Sequence, residues 1–351
     1  MIRADAGSRM GTGHVMRCLA LAQAWRKRGG DVIFFGRIVS PGLRKRIRDE
    51  GCRLISLPAV HPDPEDWPAT ARLIRRYTPE WLVLDGYHFD PEYQQKARIA
   101  GVRVLVVDDT AHWSEYHAHV LLNQNMGAER LCYECDPDTR LLLGPRYALL
   151  RTEFLKWRCW QHEMPPDARR VLVTMGGSDP DNVTLKVIRA LRRIPVKGLE
   201  VVVMVGAGNM YRRTLEAEVR RLVASKQDLR IRLEQQPENV TELMAWADVA
   251  VSAGGSTCWE LAFMGVPTIT LVIADNQTMA MREAAKNGAV VCLGKASRVS
   301  ATTIRDATLR LCRDYRGRCR MAALGRELVD GTGAFTVVEY LAARCARERK
   351  G

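Results

Sequence analysis

Two series of short apolar runs, each followed by an amphipathic stretch, divide the chain into halves. In the first, "DVIFFG" (31–36), "WLVLDG" (81–86) and "VRVLVVDD" (102–109) are nearly continuous Val, Ile, Leu and Phe, as expected of strands buried on both faces. "HVLLNQN" (119–125) is a further strand candidate. Between such runs, "HVMRCLALAQAWRKRG" (14–29) sets apolar residues at 15, 18, 19, 22 and 25, the spacing of one helix face. Apolar strands alternating with helices predict a parallel sheet covered on both sides.

The second series begins near residue 169. "RRVLVTMGGSD" reads as strand then glycine turn, and "PDNVTLKVIRALRRI" as the following helix. "LEVVVMVGAG", "LRIRLEQQ" and "ADVAVSAGGST" are strands, "WELAFMGVP" is a helix and "TITLVIADNQ" another strand. Between the series, "YALLRTEFLKWRCWQHEMPPDARR" (147–170) contains Pro165-Pro166 and reads as a connection. The expectation is an N-terminal domain over 1–150, a linker over 151–170 and a C-terminal domain over 171–351, whose last helix could pack back on the first. The fold class is α/β, with two doubly wound Rossmann-like domains facing a cleft. Such sheets bind ligands at the carboxyl ends of their strands, so the cleft is the expected site.

Composition narrows the partners. With 47% hydrophobic and 26% charged residues, the chain reads as globular and not disordered. No apolar run approaches the ~20 residues of a membrane-spanning helix, so no integral membrane segment is expected. "MIRADAGSRMGTGH" offers no apolar signal core, which predicts a cytoplasmic protein. The ten cysteines are scattered and read as reduced thiols. Cys132 and Cys135 in "CYEC" lack the second pair a zinc site needs, so no metal is expected. A net charge of +13 favours anionic partners. Its basic residues are spread along helices ("WRKRG", "LRKRIRDEG", "LIRRY") and read as solvated faces and not as a nucleic-acid groove. A phosphate-bearing small ligand fits this charge.

Three loops could carry chemistry. "VSAGGSTCWELAFMGVP" (251–267) runs from a strand through small residues into a helix near Thr257. Backbone N–H groups around Gly255, with the hydroxyls of Ser256 and Thr257, suit an anion. Glu260 could accept from a ribose diol, or be an ordinary first-turn acid. "VTMGGSDPDNVT" (173–184) is a second junction of this kind, with Gly176 and Gly177 in the turn and Asn182 either near a ligand or a plain helix cap. Neither has P-loop spacing. In the first half, His14 follows the Gly-x-Gly of "MGTGH". A helix N-terminus disfavours imidazolium and leaves a base-competent ring; a histidine beside a cap is the bland alternative. Tyr87, in "LDGYHFD", closes another strand end and could order a water or substrate.

"RADAGSRMGTGHVMRCLALAQAW", "VLDGYHFDPEY", "VVDDTAH", "LLNQN", "GPRYALLRTEF", "VTMGGSDPDN" and "SAGGSTCWELAFMGVP" together resemble the UDP-sugar hydrolases of pseudaminic acid biosynthesis. That family acts on a UDP-linked 2,4-diacetamido-2,4,6-trideoxyhexose, and proteins of spore-coat polysaccharide synthesis share these motifs. The segments stand in family order over nearly the whole chain. The resemblance implies a glycosyltransferase-B (GT-B) architecture and metal-independent hydrolysis without a cofactor. His14 matches the family's base for the attacking water, with Gly13 beside it. Asn182 and Glu260 match substrate-binding positions, and Tyr87 and Asn276 match positions near the sugar, with Gln277 beside them. The chain opens at "MIRADAG", leaving few residues for a first strand.

The expected function is inverting hydrolysis at the anomeric carbon of a UDP-activated amino sugar, by a monomer, in nonulosonic acid or surface polysaccharide biosynthesis. UDP would be held by the C-terminal domain. A GT-B glycosyltransferase using the same donor is the first alternative, and a non-catalytic nucleotide-sugar-binding protein the second. A UDP-sugar 2-epimerase would need a carboxylate-rich site, which these motifs do not supply.

Overall fold

The computed structural model describes residues 1–348 apart from 8–10, 59, 207, 226, 227, 236 and 238. The chain forms two compact units, one of Met1–Thr152 with the stretch from Gly331 onward, the other of Glu153–Asp330.

The first unit holds strands β1 (Ile2–Ala4), β2 (Ile33–Gly36), β3 (Arg53–Ser56), β4 (Trp81–Asp85), β5 (Arg103–Val107), β6 (Val120–Asn123) and β7 (Arg140–Leu143). They form one sheet in the order β3-β2-β1-β4-β5-β6-β7, with parallel neighbours throughout. Side chains alternate between the sheet's two faces. Trp81, Val83, Leu105 and Val107 join the core on one side, while Leu82, Leu84, Val104 and Val106 join that on the other. The first core also takes in Cys18, Leu19 and Ala22 from the helix Gly13–Lys27 and Val337, Val338 and Leu341 from the helix Gly333–Glu348. The last helix of the described chain thus completes the first unit.

The second unit holds β8 (Arg170–Thr174), β9 (Leu199–Val205), β10 (Leu229–Gln235), β11 (Val249–Ala253), β12 (Thr268–Val272) and β13 (Val291–Lys295). Their order is β10-β9-β8-β11-β12-β13, again parallel. Each sheet is doubly wound, since the chain builds outward from β1 or β8 and then reverses to the other side.

Four strands escape the apolar-run pattern for physical reasons. β3, β7 and β13 are edges, where one side is open and residues such as Arg53, Arg140 and Lys295 are tolerated. β1 is only three residues long. The segment expected as a linker is also built in. Phe154 is buried against Phe263 with ring centroids 6.2 Å apart, and the fully buried Arg318 donates to the carbonyls of Pro165 and Pro166. The expected linker from residue 153 onward therefore belongs to the second unit. Among the described residues, no helix is long and apolar enough to cross a membrane.

Candidate active site

Strand order reverses between β1 and β4 in the first unit, and a crevice for ligands is expected at the carboxyl ends there. His14 occupies that point, in the first turn of the helix Gly13–Lys27 that follows β1. Asp85 is the last residue of β4. His14 Nδ1 lies 2.6 Å from Asp85 Oδ1. Since a carboxylate only accepts, Nδ1 carries the proton and the 3.2 Å approach of Arg17 Nη2 to the same nitrogen is not a hydrogen bond. In the neutral ring this makes Nε2 the acceptor, the form a general base needs. His14 is 8% exposed, so its surroundings fix the ring closely. Gly13 is exposed beside it. Ser8, Arg9 and Met10 lie outside the described residues.

Arg17, one helical turn on from His14, ties the centre together. Its Nε and Nη2 donate to the two oxygens of Asp85 at 2.7 Å each, while Nη1 reaches Asp109 at 2.8 and 3.0 Å. Asp109 follows β5 and also accepts from Asn125 Nδ2 at 2.8 Å and from the Tyr87 hydroxyl. Cys18 donates its thiol to Asp85 at 3.3 Å. Burial alone would raise the Asp85 pKa, but the charge of Arg17 and the hydrogen bonds from Arg17 and His14 outweigh it and hold the group well below the usual carboxylate range. Burial pushes the Tyr87 phenol up, and Asp109 pushes it further, so Tyr87 stays a donor.

Tyr87 stands with its ring edge-on to His14, centroids 5.1 Å apart. A neighbouring hub sets its backbone. His112 has Nε2 3.0 Å from the Tyr87 carbonyl and Nδ1 3.2 Å from Asp108. Asp108 also accepts from the backbone N–H of Thr110 and Ala111 and from the hydroxyls of Tyr116 and Tyr133. Tyr133 explains the placement of "CYEC": the segment is anchored by its tyrosine, while Cys132 is exposed and Cys135 half-buried. The strand ends thus gather Asp85, Asp108 and Asp109, which corrects the expectation that the motifs supply no carboxylate-rich site. Sequence spacing hides this because the three come from two strands. Asp85 and Asp109 are both occupied by bonds from Arg17.

An apolar cavity of about 460 Å³, lined by Leu21, Trp25, Val83 and Leu341 among others, opens at the other end of this sheet. His14 stands at the opposite, carboxyl end of the strands, where sheets of this kind bind ligands.

In the second unit the reversal falls between β8 and β11. Gly176, after β8, adopts φ +76° and has open space where a Cβ would stand. Gly177 accepts from the Gly208 N–H at 2.9 Å. Asn182 precedes the helix Val183–Leu191 in a left-handed conformation and does not cap it. Asp179 does so instead, accepting from the N–H groups of Val183 and Thr184. Asn182 Oδ1 is buried with no partner among the described residues. After β11, Gly255, Ser256 and Thr257 are half-buried and lead into the helix Thr257–Phe263, where Glu260 is also half-buried. Asn276 and Gln277 lie in the turn Asp275–Gln277 after β12. Gln277 accepts from the Ile273 N–H at 3.0 Å, and a Cβ on Gly254 would run into Met281 and approach Gln277. The loops after β11 and β12 are therefore neighbours. The first unit gathers His14 and Tyr87, and the second gathers the glycine loops, each at the reversal of its own sheet.

Residues 171–314 match the C-terminal domain of glycosyltransferase family 28. The second unit carries a family 28 C-terminal domain. Over 342 residues the chain is 26% identical to the spore coat polysaccharide biosynthesis protein SpsG of Bacillus subtilis, covering 97% of this chain and 96% of that one. It is 25% identical over 295 residues to the UDP-2,4-diacetamido-2,4,6-trideoxy-beta-L-altropyranose hydrolase of Campylobacter jejuni, covering 82% and 96%. These proteins are homologues of this chain. The crystal structure of MurG from Acinetobacter baumannii superposes with a TM-score of 0.67 at 16% identity, covering 97% and 98%. That likeness shows the fold, which is of the GT-B type.

Inside the family 28 domain, the glycine loops expected from sequence lie at strand ends. In the first unit, sequence reasoning named His14 and Tyr87, which the structure brings together, but not their partners Asp85, Arg17 and Asp109. All three stand in the stretches "MGTGHVMRC", "VLDGYHFD" and "VVDDTAH". A signal was present: Arg17 sits three residues after His14 on the same helix, and both aspartates end apolar strands.

Proposed function

We propose that the protein is an enzyme that hydrolyses a UDP-linked 2,4-diacetamido-2,4,6-trideoxyhexose at the anomeric carbon, releasing UDP and the free sugar for nonulosonic acid or surface polysaccharide synthesis. The observation that carries this reading is the His14 Nδ1–Asp85 pair, which makes Nε2 the acceptor of the neutral ring. His14 Nε2 takes a proton from a water whose oxygen bonds to the anomeric carbon, while the carbon–oxygen bond to the diphosphate breaks and UDP leaves with its electron pair. Attack opposite the leaving group inverts the centre. Asp85 keeps the ring in place and stabilises it once charged. The carboxylates are poor candidates for the base, since Arg17 already occupies both Asp85 and Asp109. Tyr87 lies against His14 and would face the sugar. In the family 28 domain, Gly176, Gly177, Gly255, Ser256 and Thr257 would hold the diphosphate. Asn182, Glu260, Asn276 and Gln277 would bind nucleoside and sugar. The homology to the altropyranose hydrolase supports this substrate class.

The test is hydrolysis in ¹⁸O-water without added metal. Label in the free sugar, and its loss in His14→Ala with UDP binding retained, supports the reading. Label in phosphate, or undiminished turnover in His14→Ala, refutes it. The family 28 match favours one second reading, transfer of the sugar to an acceptor alcohol; UDP release only after an acceptor is added would establish that instead.

A further inference from the structure

Resting on that reading, we infer that Arg17 is the positioning residue of the centre: one buried guanidinium holds Asp85 against His14 and Asp109 against Tyr87, and sets the charge that lets His14 accept a proton. The geometry is that of a single fork spanning two carboxylates from adjacent strands. Arg17 is 6% exposed and Asp85 fully buried, so neither finds compensation in water.

Formal charge decides the consequence. Among the described residues, the groups facing His14 are Asp85 at the end of β4, Arg17 and Cys18 on its own helix, and Tyr87 beyond β4. Asp109, after β5, faces it through Arg17 and Tyr87, with His112 and Asp108 one layer further out. Cys18 and Tyr87 are neutral, since burial pushes both up. With a neutral His14, the two carboxylates and Arg17 sum to one negative charge. Proton transfer from water to His14 brings the cluster to zero, which a poorly solvated site favours. Without Arg17 one more negative charge beside His14 would go uncompensated, which favours the imidazolium over the neutral ring more than in the wild type. A smaller share of the protein would then hold the base in the form that can accept a proton.

A structural role and a charge role predict different pH behaviour. In Arg17→Gln, kcat for UDP release should fall about 100-fold near pH 6 and only about 10-fold near pH 9, as higher pH strips the unwanted proton from the base. Arg17→Lys keeps the charge but not the fork, so its loss should be the same at both. Asp109→Asn removes a negative charge, and its deficit should lean the other way, larger at high pH. An Arg17→Gln deficit equal at every pH overturns the proposal. Should that variant fail to fold, the opposite lean of Asp109→Asn decides alone. Failure of the functional reading is told apart by imidazole ¹⁵N spectra of the substrate-free protein near neutral pH. They should show a larger imidazolium share at His14 in Arg17→Gln than in the wild type. Identical spectra overturn the role of Arg17 whatever the substrate, whereas the expected spectra with no UDP release overturn only the hydrolase reading.

Discussion

His14 Nδ1 and Asp85 Oδ1 lie 2.6 Å apart across 71 residues of chain. That contact selects the ring tautomer. An asparagine at 85 could turn its amide nitrogen towards the ring and move the ring proton to Nε2, which removes the acceptor. Asp85→Asn should therefore lower kcat by about 10³–10⁴-fold, by analogy with the tautomer loss in serine proteases. UDP affinity, read by calorimetry, should barely change. A variant with near-wild-type kcat would mean that Asp85 is not the group orienting the base.

The hub behind Tyr87 predicts a pH dependence of stability. Both His112 nitrogens face acceptors, Asp108 and the Tyr87 carbonyl. The Asp108 hydrogen bond raises the His112 pKa against the opposing effect of burial, with help from the carbonyl. A raised folded-state value means that the stabilisation is complete below the ordinary histidine pKa of ~6.5 and fades as pH rises through the higher folded value. The gap in Tm between wild type and His112→Ala should thus be widest in mild acid and shrink on the alkaline side. A gap that widens with pH would show that His112 is held neutral.

His119 has the opposite sign. Burial, and then Arg98, lower its pKa to about 4, and its Nδ1 accepts from the Val104 N–H at 3.0 Å. Between ~6.5 and that value the unfolded chain binds more protons than the folded one. His119 should therefore cost stability as pH falls through this window. Acid titrations of unfolding should show a shallower slope in His119→Gln than in wild type.

Gly206 tests the glycine turn of the family 28 domain. A Cβ there would stand 2.5 Å from the Gly177 carbonyl oxygen and 2.6 Å from that of Gly176, and backbone yields less readily than a side-chain tip. Gly206→Ala should cost about 1–3 kcal/mol of stability and weaken UDP binding by displacing the turn. Unchanged UDP affinity would detach Gly176 and Gly177 from the nucleotide.

The helix Gly333–Glu348 contributes buried Leu341 to the first core, and the Leu341 carbonyl accepts from Trp81 Nε1 at 3.3 Å. Leu341→Ala should destabilise by about 2–5 kcal/mol, measured by urea unfolding. An effect below ~0.5 kcal/mol, typical of surface substitutions, would mean the helix is not part of that core.

The sequence by itself determined the parallel α/β class, because strands buried on both faces must be apolar from end to end: β4, β5, β8 and β11 announce themselves. It also marked the glycine turns and put forward His14 and Tyr87 as candidates, all of which the structure places at strand ends. Edge strands β3, β7 and β13 were hidden by their polar open sides, and the segment from 153 reads as a linker although its aromatic residues pack into the second unit. What only the tertiary structure decided is the partnership around His14. Asp85, Arg17 and Asp109 meet because β1, β4 and β5 lie side by side in one sheet, and strand order is set by the packing of the whole core, which no local stretch of sequence records.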